Sequence, residues 1–94
     1  MTDAFAKRVY DVVRNLAPGE LVTYGDVAAQ AGRPGAARAV GRLMAGSDGL
    51  PWWRTVTASG RLVPGLEDEH RSKLEAEGFT VQGTRVVVQP TSSG

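Results

Sequence analysis

Cysteine is absent from the 94 residues of this chain, and histidine occurs once, at position 70. Without a thiol the protein can form no disulfide, use no cysteine nucleophile and bind no metal through sulfur. One histidine cannot build a histidine-rich metal site, and no glycine-rich phosphate loop of the GxxxxGK type occurs. We therefore expect no metal and no other cofactor.

Long apolar runs and a strong net charge are missing as well. No stretch approaches the roughly 18 apolar residues that a membrane span requires, and the opening MTDAFAKRVY lacks the basic-then-apolar order of a signal peptide. The composition, with 41% hydrophobic and 22% charged residues, is that of an ordinary globular protein. We expect one cytoplasmic domain over residues 1–89, nucleoid-associated if bacterial, and a disordered tail at 90–94.

The net charge is only +1, but the charges are unevenly distributed. Five arginines face a single aspartate between residues 33 and 61, whereas residues 67–77 hold five acidic residues against one arginine and one lysine. A local basic region of this kind indicates contact with an anionic partner. Chance clustering on a solvated surface explains it equally well, so charge alone leaves both interpretations open.

Apolar spacing and capping residues predict three helices in the first half of the chain. The apolar face of the first helix consists of Phe5, Val9, Val12, Val13 and Leu16. Thr23 suits the N-cap of a second helix, Asp26 completes a capping box, and Gly32 ends the helix. A third helix is predicted from about Pro34 to about Gly46. The tight glycine-containing link between the last two helices indicates a helix-turn-helix.

The exposed face of the third helix combines two arginines with residues that have almost no side chain. The predicted exposed positions are Gly35, Arg38, Ala39, Gly41 and Arg42, and the predicted buried ones are Ala36, Ala37, Val40, Leu43 and Met44. A glycine inside a helix costs about 1 kcal/mol relative to alanine. A helix with such a face is suited to close approach by a partner, and either a DNA groove or a packed helix fits that description.

The second half of the chain is predicted to hold two hairpins on either side of a charged helix, which makes the fold α+β. The predicted strand pairs are 54–57 with 61–63, and 79–82 with 84–88. The helix spans residues 67–77, with Leu66 and Leu74 as its apolar contacts and Gly78 as its end. The predicted i,i+4 ion pairs are Glu67–Arg71 and Glu69–Lys73.

Few side chains have the chemistry for catalysis. His70 lies in the charged helix without an obvious partner, so a solvated residue is the favoured interpretation over a general base. The acidic residues of 67–77 are helically spaced beside nearby cations, which is typical of a solvated face. Asp26 is better explained as a cap than as a catalyst.

Both tryptophans of the chain stand together in the segment LPWWRTV at 50–56. Core packing is one explanation, because an indole buries a large apolar area. Consecutive residues of an extended segment point to opposite sides, so one indole can pack inward while the other lines a cleft. An aromatic ring in a cleft stacks on a base for about 1–3 kcal/mol, and a damaged base is the easiest to extrude from a duplex. The residue types leave both explanations open.

Two anchors give the chain a family resemblance, the run VTYGDVAAQAGRPGAARAVGRLM at 22–44 and the motif PWWR at 51–54. Together they resemble the DNA-binding domain of O6-alkylguanine-DNA alkyltransferases, and most of all their non-enzymatic relatives, the alkyltransferase-like proteins. The resemblance covers roughly residues 4–80. It implies a winged helix-turn-helix that binds the minor groove, flips an alkylated guanine and presents the damage to nucleotide excision repair.

The resemblance also implies roles for single residues. The alkyltransferases hold their acceptor cysteine in a Pro-Cys-His-Arg motif, and Trp52 occupies the place of that cysteine, which implies a protein that is not an enzyme. Arg38 matches the arginine finger that fills the space of the flipped nucleotide, and Tyr24 matches the tyrosine that crowds the target's 3′ phosphate. The implied DNA-binding residues are Tyr24, Ala36, Ala37, Arg38, Ala39, Gly41 and Arg42, and the implied lesion-pocket residues are Tyr24, Trp52, Trp53 and Arg54.

Some positions depart from the family pattern. Trp53 replaces the motif histidine, and it is either a core plug, the favoured interpretation, or a second pocket wall. Gly65 stands where some relatives carry an arginine that stacks on the lesion, which implies a wider or less electropositive pocket. Arg71 stands at the place of the alkyltransferases' relay glutamate, and Ser47 at that of a structural asparagine.

We expect a winged helix-turn-helix protein that recognises O6-alkylguanine in double-stranded DNA and recruits nucleotide excision repair proteins. A monomer is expected because no dimerisation helix is evident. One alternative is a winged-helix protein that binds undamaged DNA, although that function calls for polar base-reading side chains on the third helix. The other is a protein-interaction module that uses the tryptophan pair and the acidic helix and has no DNA affinity at moderate salt.

Overall fold

The computed structural model describes residues 4–47 and 49–87, and the predicted tail at 90–94 lies outside them. Within the described ranges the chain forms an α+β fold, as predicted. The helices are α1 (Ala4–Arg14), α2 (Tyr24–Gln30), α3 (Ala37–Ala45) and α4 (Glu67–Ala76). The strands are β1 (Val22–Thr23), β2 (Thr55–Val56), β3 (Thr80–Gln82) and β4 (Arg85–Val87), and a 3₁₀ turn covers Trp52–Arg54.

Local capping chemistry starts α2 where the sequence predicts. The Asp26 amide donates to Thr23 Oγ1 at 3.0 Å, and the Thr23 amide donates to Asp26 Oδ2 at 3.1 Å, which completes the capping box. α3, in contrast, starts at Ala37 and not near Pro34. The reason is Gly35, whose φ of +94° is left-handed and cannot belong to a right-handed helix. Gly35 therefore lies in the turn that precedes α3.

The first three helices enclose one hydrophobic cluster. Its buried members are Phe5, Val9, Val13, Val27, Ala28, Ala31, Val40 and Met44. Four other apolar residues predicted for these faces are half-buried at the margin of the cluster, namely Val12, Leu16, Ala36 and Leu43, and Ala37 is half-buried outside it. α3 is therefore held by Val40 and Met44, and its opposite side is free to meet a partner.

The wing is present, but its strands differ from the predicted ones. β2 pairs in parallel with β1, Val22 opposite Thr55 and Thr23 opposite Val56. The predicted hairpin with 61–63 is reduced to its turn, in which the Thr57 amide donates to the Arg61 carbonyl at 3.4 Å. Thr55 and Val56 are both buried, so β2 is covered on both faces and suits an interior pairing. The segment 60–62 pairs with β4, and β4 pairs with β3 in the predicted terminal hairpin. The wing thus combines three antiparallel segments.

α4 packs against a second hydrophobic cluster, made of Val56, Leu62, Leu74, Val81 and Val86. Of its two predicted apolar contacts, Leu74 is buried and Leu66 is 39% exposed, because Leu66 precedes the helix as its N-cap. The predicted i,i+4 ion pairs do not form: Glu67 accepts from the Gly65 amide and Arg71 donates to the Gly83 carbonyl. In the part of the chain that the structure describes, no helix is long and apolar enough to span a bilayer.

Candidate functional site

The solvent side of α3 presents two arginines over small residues. Arg38 and Arg42 are exposed, and Ala39 between them is half-buried. Gly41 faces the start of α2: a Cβ added there would lie 3.5 Å from Cε2 of Tyr24, at ordinary contact distance. The small residue at 41 thus allows the Tyr24 ring to lie against α3, and close packing between helices explains this one position of the predicted exposed face.

Tyr24 connects α3 to the tryptophan segment. Its side chain forms a hydrogen bond with Thr55, and the Thr55 hydroxyl donates to the Trp52 carbonyl at 2.6 Å. Burial raises the pKa of Tyr24 above 10.0, with the Thr55 hydrogen bond acting in the opposite direction, so the phenol is protonated at neutral pH. Thr55 therefore links the Tyr24 side chain to the backbone of Trp52.

The two indoles reach opposite halves of the core. Trp52 packs against the cluster of the first three helices, and Trp53 packs against the cluster under α4. Their rings meet edge to face with centroids 6.1 Å apart and an interplanar angle of 87°. Both side chains are half-buried, so each combines a core contact with an accessible surface. The predicted division into one inward and one cleft-facing tryptophan is not absolute.

A cavity of about 520 Å³ opens beside the tryptophan segment. It is lined by Arg14, Ser47, Gly49, Leu50, Pro51, Trp52, Trp53, Arg54, Glu69 and Lys73. Three of the four residues predicted for the lesion pocket line it, whereas Tyr24 does not. A larger cavity of about 730 Å³ beside β1 and β2 has none of the predicted site residues in its lining. Ligand pockets commonly measure about 300–1,000 Å³, so the smaller cavity can admit a flipped base.

Arg54 lines this cavity, but its guanidinium is held by Glu77. Nη2 lies 2.8 Å from Glu77 Oε2, Nε donates to the same carboxylate at 3.1 Å, and Nη1 donates to the Leu16 carbonyl at 2.9 Å. The two side chains are only 12% and 13% exposed. The hydrogen bonds from Arg54 are the main reason why the pKa of Glu77 falls from 4.5 to about 2. Glu77 is thus a largely enclosed ion-pair partner, contrary to the predicted solvated acidic face.

Glu77 also fixes Trp53 and the loop between α1 and β1. The Trp53 Nε1–H donates to Glu77 Oε2 at 2.7 Å, and the Gly19 amide donates to Oε1 at 2.9 Å. The Lys73 ammonium lies 4.6 Å from the Trp53 ring centroid, a cation–π contact from α4. One carboxylate therefore joins three segments of the chain, and it sets the position of one of the two tryptophans.

His70 is the second residue whose predicted setting is wrong, because it is fully buried and not solvated. The Val63 amide donates to Nδ1 at 3.1 Å, so Nε2 carries the hydrogen and donates to the Trp53 carbonyl at 2.9 Å. The His70 ring also meets Trp52 at 5.0 Å between centroids. Burial lowers the pKa of His70, with the Trp53 carbonyl acting in the opposite direction. Both ring nitrogens are occupied, so the neutral imidazole positions the tryptophan segment.

A local signal existed for one of these two residues. His70 and Leu74 lie four residues apart, so they share one helix face, and Leu74 is buried. Glu77 offers no comparable signal, because its partners Arg54 and Gly19 are 23 and 58 positions away.

At another departure from the family pattern, Gly65 has a φ of +87°, a left-handed conformation that disfavours the arginine found in some relatives.

Comparisons with known proteins show the family of the chain and its fold. Residues 4–79 match the family described as the DNA-binding domain of 6-O-methylguanine DNA methyltransferase. A DNA base-flipping protein of Vibrio parahaemolyticus is 39% identical over 85 residues, which cover 84% of each chain. A DNA base-flipping protein of Escherichia coli K12 is 44% identical over 89 residues, 87% of this chain and 67% of that protein. S. pombe Atl1, crystallised in complex with damaged DNA containing O6-carboxymethylguanine, aligns with a TM-score of 0.80 and 31% identity over 89% of this chain and 84% of its own.

Proposed function

The chain belongs to the family of the DNA-binding domain of 6-O-methylguanine DNA methyltransferase, and from that premise we propose that it recognises O6-alkylguanine in duplex DNA without repairing it. The observation that carries the proposal is Trp52. We infer from the motif PWWR that this indole, beside a cavity, stands where the alkyltransferases carry their acceptor cysteine, and the sequence contains no cysteine. An indole can stack on a base, but it cannot accept an alkyl group as a thiolate does.

The proposed contact with DNA is made by α3 in the minor groove. The small side chains Ala36, Ala37 and Ala39 let the helix backbone approach the groove, and the exposed Arg42 reaches a phosphate. Readout in the minor groove is largely limited to A·T against G·C, so the surrounding base sequence matters little. Proteins that enter this groove closely commonly unstack a base step and bend the duplex, which lowers the cost of extruding a base.

Arg38 and Tyr24 drive the extrusion in this proposal. Arg38 is exposed on α3, so it can enter the base stack and occupy the space of the flipped nucleotide. Tyr24 is held against α3 at Gly41 and by Thr55, so it is a rigid obstacle to the target's 3′ phosphate. The flipped guanine then enters the cavity at Trp52, with Trp53 and Arg54 fixed by Glu77 as its frame. A weakly paired alkylguanine costs least to extrude, which gives selectivity for damage.

The proposed outcome of binding is a persistent complex. The lesion remains chemically unchanged, because the chain supplies no acceptor thiol. Bent DNA with a base held outside the stack is a signal that other proteins can detect. We therefore assign presentation of the damage to nucleotide excision repair proteins as the role of the complex.

A competition titration tests the proposal at one stated, near-physiological salt concentration. A duplex with one central O6-methylguanine competes against the same duplex with guanine. We expect a preference of at least about tenfold for the damaged duplex, which corresponds to about 1.4 kcal/mol. Equal affinities would contradict lesion recognition and favour a winged-helix protein for undamaged DNA, and no binding to either duplex would favour a protein-interaction module.

We expect Arg38→Ala to impair base flipping while leaving the protein folded, because Arg38 is exposed. Without the Arg38 side chain, nothing fills the space that the flipped nucleotide leaves in the base stack, so the flipped state is less stable. The measurement is the fluorescence rise of 2-aminopurine at the target position, which reports loss of stacking. Arg42→Ala is the matched control from the same exposed face, and it should weaken binding to all duplexes without changing the signal per bound protein. An unchanged signal in Arg38→Ala would refute the finger role.

A further inference from the structure

The wing carries two arginines directly opposite each other. Arg61 on the segment 60–62 forms an antiparallel bridge with Arg85 on β4. The flanking hydrogen bonds run from the Val86 amide to the Gly60 carbonyl and from the Leu62 amide to the Thr84 carbonyl, both at 2.9 Å. This pattern is a non-hydrogen-bonded pair, in which the Cα atoms stand only about 4.5 Å apart and the side chains leave the same face.

That face is the solvent side of the wing. Arg61 and Arg85 are exposed, whereas their neighbours Leu62 and Val86 are buried at 3% and 2% exposure. Gly60 keeps the strands close, because an added Cβ there would lie 3.0 Å from the Val86 carbonyl oxygen. The inner face of the wing is buried and the strands approach closely at Gly60. Both arginine side chains therefore lie on the same solvent-facing surface.

Two like charges directly opposite each other destabilise a strand pair. Among the residues that the structure describes, the ion pairs are Arg14–Asp11 and Arg54–Glu77, and neither Arg61 nor Arg85 takes part in them. The wing thus holds two cations side by side without a carboxylate to compensate them. Stability alone does not explain this pairing, and an anionic ligand between the two side chains would.

The surroundings of the pair suit a phosphate. A cavity of about 600 Å³ beside it is lined by Ser59, Arg61, Gln82, Thr84, Arg85, Val86 and Val87. Its side chains include two hydroxyls and an amide that can donate hydrogen bonds, and no carboxylate is among them. Guanidinium groups donate paired hydrogen bonds to phosphate oxygens with matching geometry.

We propose that Arg61 and Arg85 form a phosphate-binding site on the wing that holds a backbone phosphodiester of duplex DNA. The site rests on the proposed DNA-binding function and adds a second anchor to the contacts of α3. The site contacts a phosphate and no base, so it strengthens binding to damaged and undamaged duplexes equally.

The test is the salt dependence of binding by the double variant Arg61→Gln/Arg85→Gln. Each neutralised phosphate adds about 0.9 to the magnitude of the slope of log affinity against log salt concentration, so losing the one phosphodiester that both arginines hold should reduce that magnitude by about 0.9. The slope should fall equally on the O6-methylguanine duplex and on the guanine duplex. Lys7→Glu changes the net charge by the same two units at an exposed position of α1, outside the cavity and the wing, and should leave the slope unchanged.

The outcomes separate this inference from the proposed function. An unchanged slope in the wing variant, with wild-type protein that prefers the damaged duplex, would overturn the phosphate site alone. Equal wild-type affinity for both duplexes, with the reduced slope in the variant, would refute lesion recognition and support the site. Failure of the wild type to bind either duplex would overturn both.

A stability measurement completes the test. Because the substitutions remove a repulsion and touch exposed side chains, the variant should unfold at the same denaturant concentration as the wild type or at a higher one. A marked loss of stability would mean that the arginine pair supports the fold, and this would overturn the assignment of a ligand site.

Discussion

Glu77→Gln should lower the free energy of unfolding by about 3 kcal/mol, because it leaves the Arg54 guanidinium enclosed without its counter-charge. Removing one partner of a buried ion pair costs about 3–5 kcal/mol, and the slight exposure of this pair places the expected loss at the lower end. The variant also weakens the hydrogen bonds from Trp53 and Gly19. Denaturant unfolding measures the loss directly, and the melting temperature should fall by about 12–24 °C for a domain of this size.

Glu75→Gln is the control for this variant. Glu75 lies on the same helix and is exposed, so its replacement should change the unfolding free energy by less than about 0.5 kcal/mol. Similar small losses in both variants would show that the Arg54–Glu77 pair adds little to the stability of the fold.

The pH dependence of the unfolding free energy gives a second, independent comparison of wild type with Glu77→Gln. The pKa of Glu77 is lowered from 4.5 to about 2, so its stabilising contribution is complete above about pH 4.5 and is lost as pH falls towards 2. The difference in unfolding free energy between wild type and Glu77→Gln should shrink across that window. His70, whose pKa is lowered from 6.5, also makes the protein less stable as it becomes protonated in acid. Since both proteins contain His70, this effect cancels in the difference.

Trp52→Ala should remove most of the preference for damaged DNA while retaining much of the total binding. Loss of one base-stacking ring costs about 1–3 kcal/mol. The affinity for the O6-methylguanine duplex should therefore fall about 5- to 150-fold, and that for the guanine duplex less than about threefold. The ratio of the two affinities is the measured quantity. It does not depend on the folded fraction, which matters because Trp52 also packs against the core.

Two companion variants sharpen this experiment. Trp52→Phe retains an aromatic ring and should retain part of the preference. Trp53→Phe distinguishes a core plug from a second pocket wall: a plug predicts lower stability with the preference intact, and a wall predicts loss of the preference. Equal losses on both duplexes in Trp52→Ala would exclude Trp52 as the surface that reads the lesion.

Sequence reasoning succeeded where the determining interactions are local. The capping box of Thr23 and Asp26 spans three positions, and the terminal hairpin around Gly83 needs only two adjacent strands. The α4 helix was predicted nearly to its observed ends. Its predicted ion pairs were not found, because Arg71 and Lys73 turn to the Gly83 carbonyl and to the Trp53 ring. The helical period places these side chains on a face, and the packed neighbours decide which partner each one meets.

The sequence identified which residue types belong to the candidate site, but it did not identify the residues that hold the tryptophan segment in place. The motif PWWR and the recognition helix identified the family, and the comparisons confirm that assignment. The burial of His70 and the ion pair between Arg54 and Glu77 depend on segments that fold together from distant parts of the chain. No local pattern encodes the partner of a charge that lies 23 positions away.

By itself, the sequence determined the presence of the helices, the capping box of α2, the α+β class, the absence of a thiol and the residue types available at the site. Periodicity, capping and composition act over a few positions, so a single chain displays them without folding. Tertiary structure alone decided that β2 pairs in parallel with β1, that Glu77 anchors Trp53 and Arg54, and that Arg61 stands opposite Arg85. Those contacts form only in the folded protein, because folding brings residues that are distant in the sequence within hydrogen-bonding distance. Burial also lowers the local dielectric constant, which strengthens the interactions between charged and polar groups.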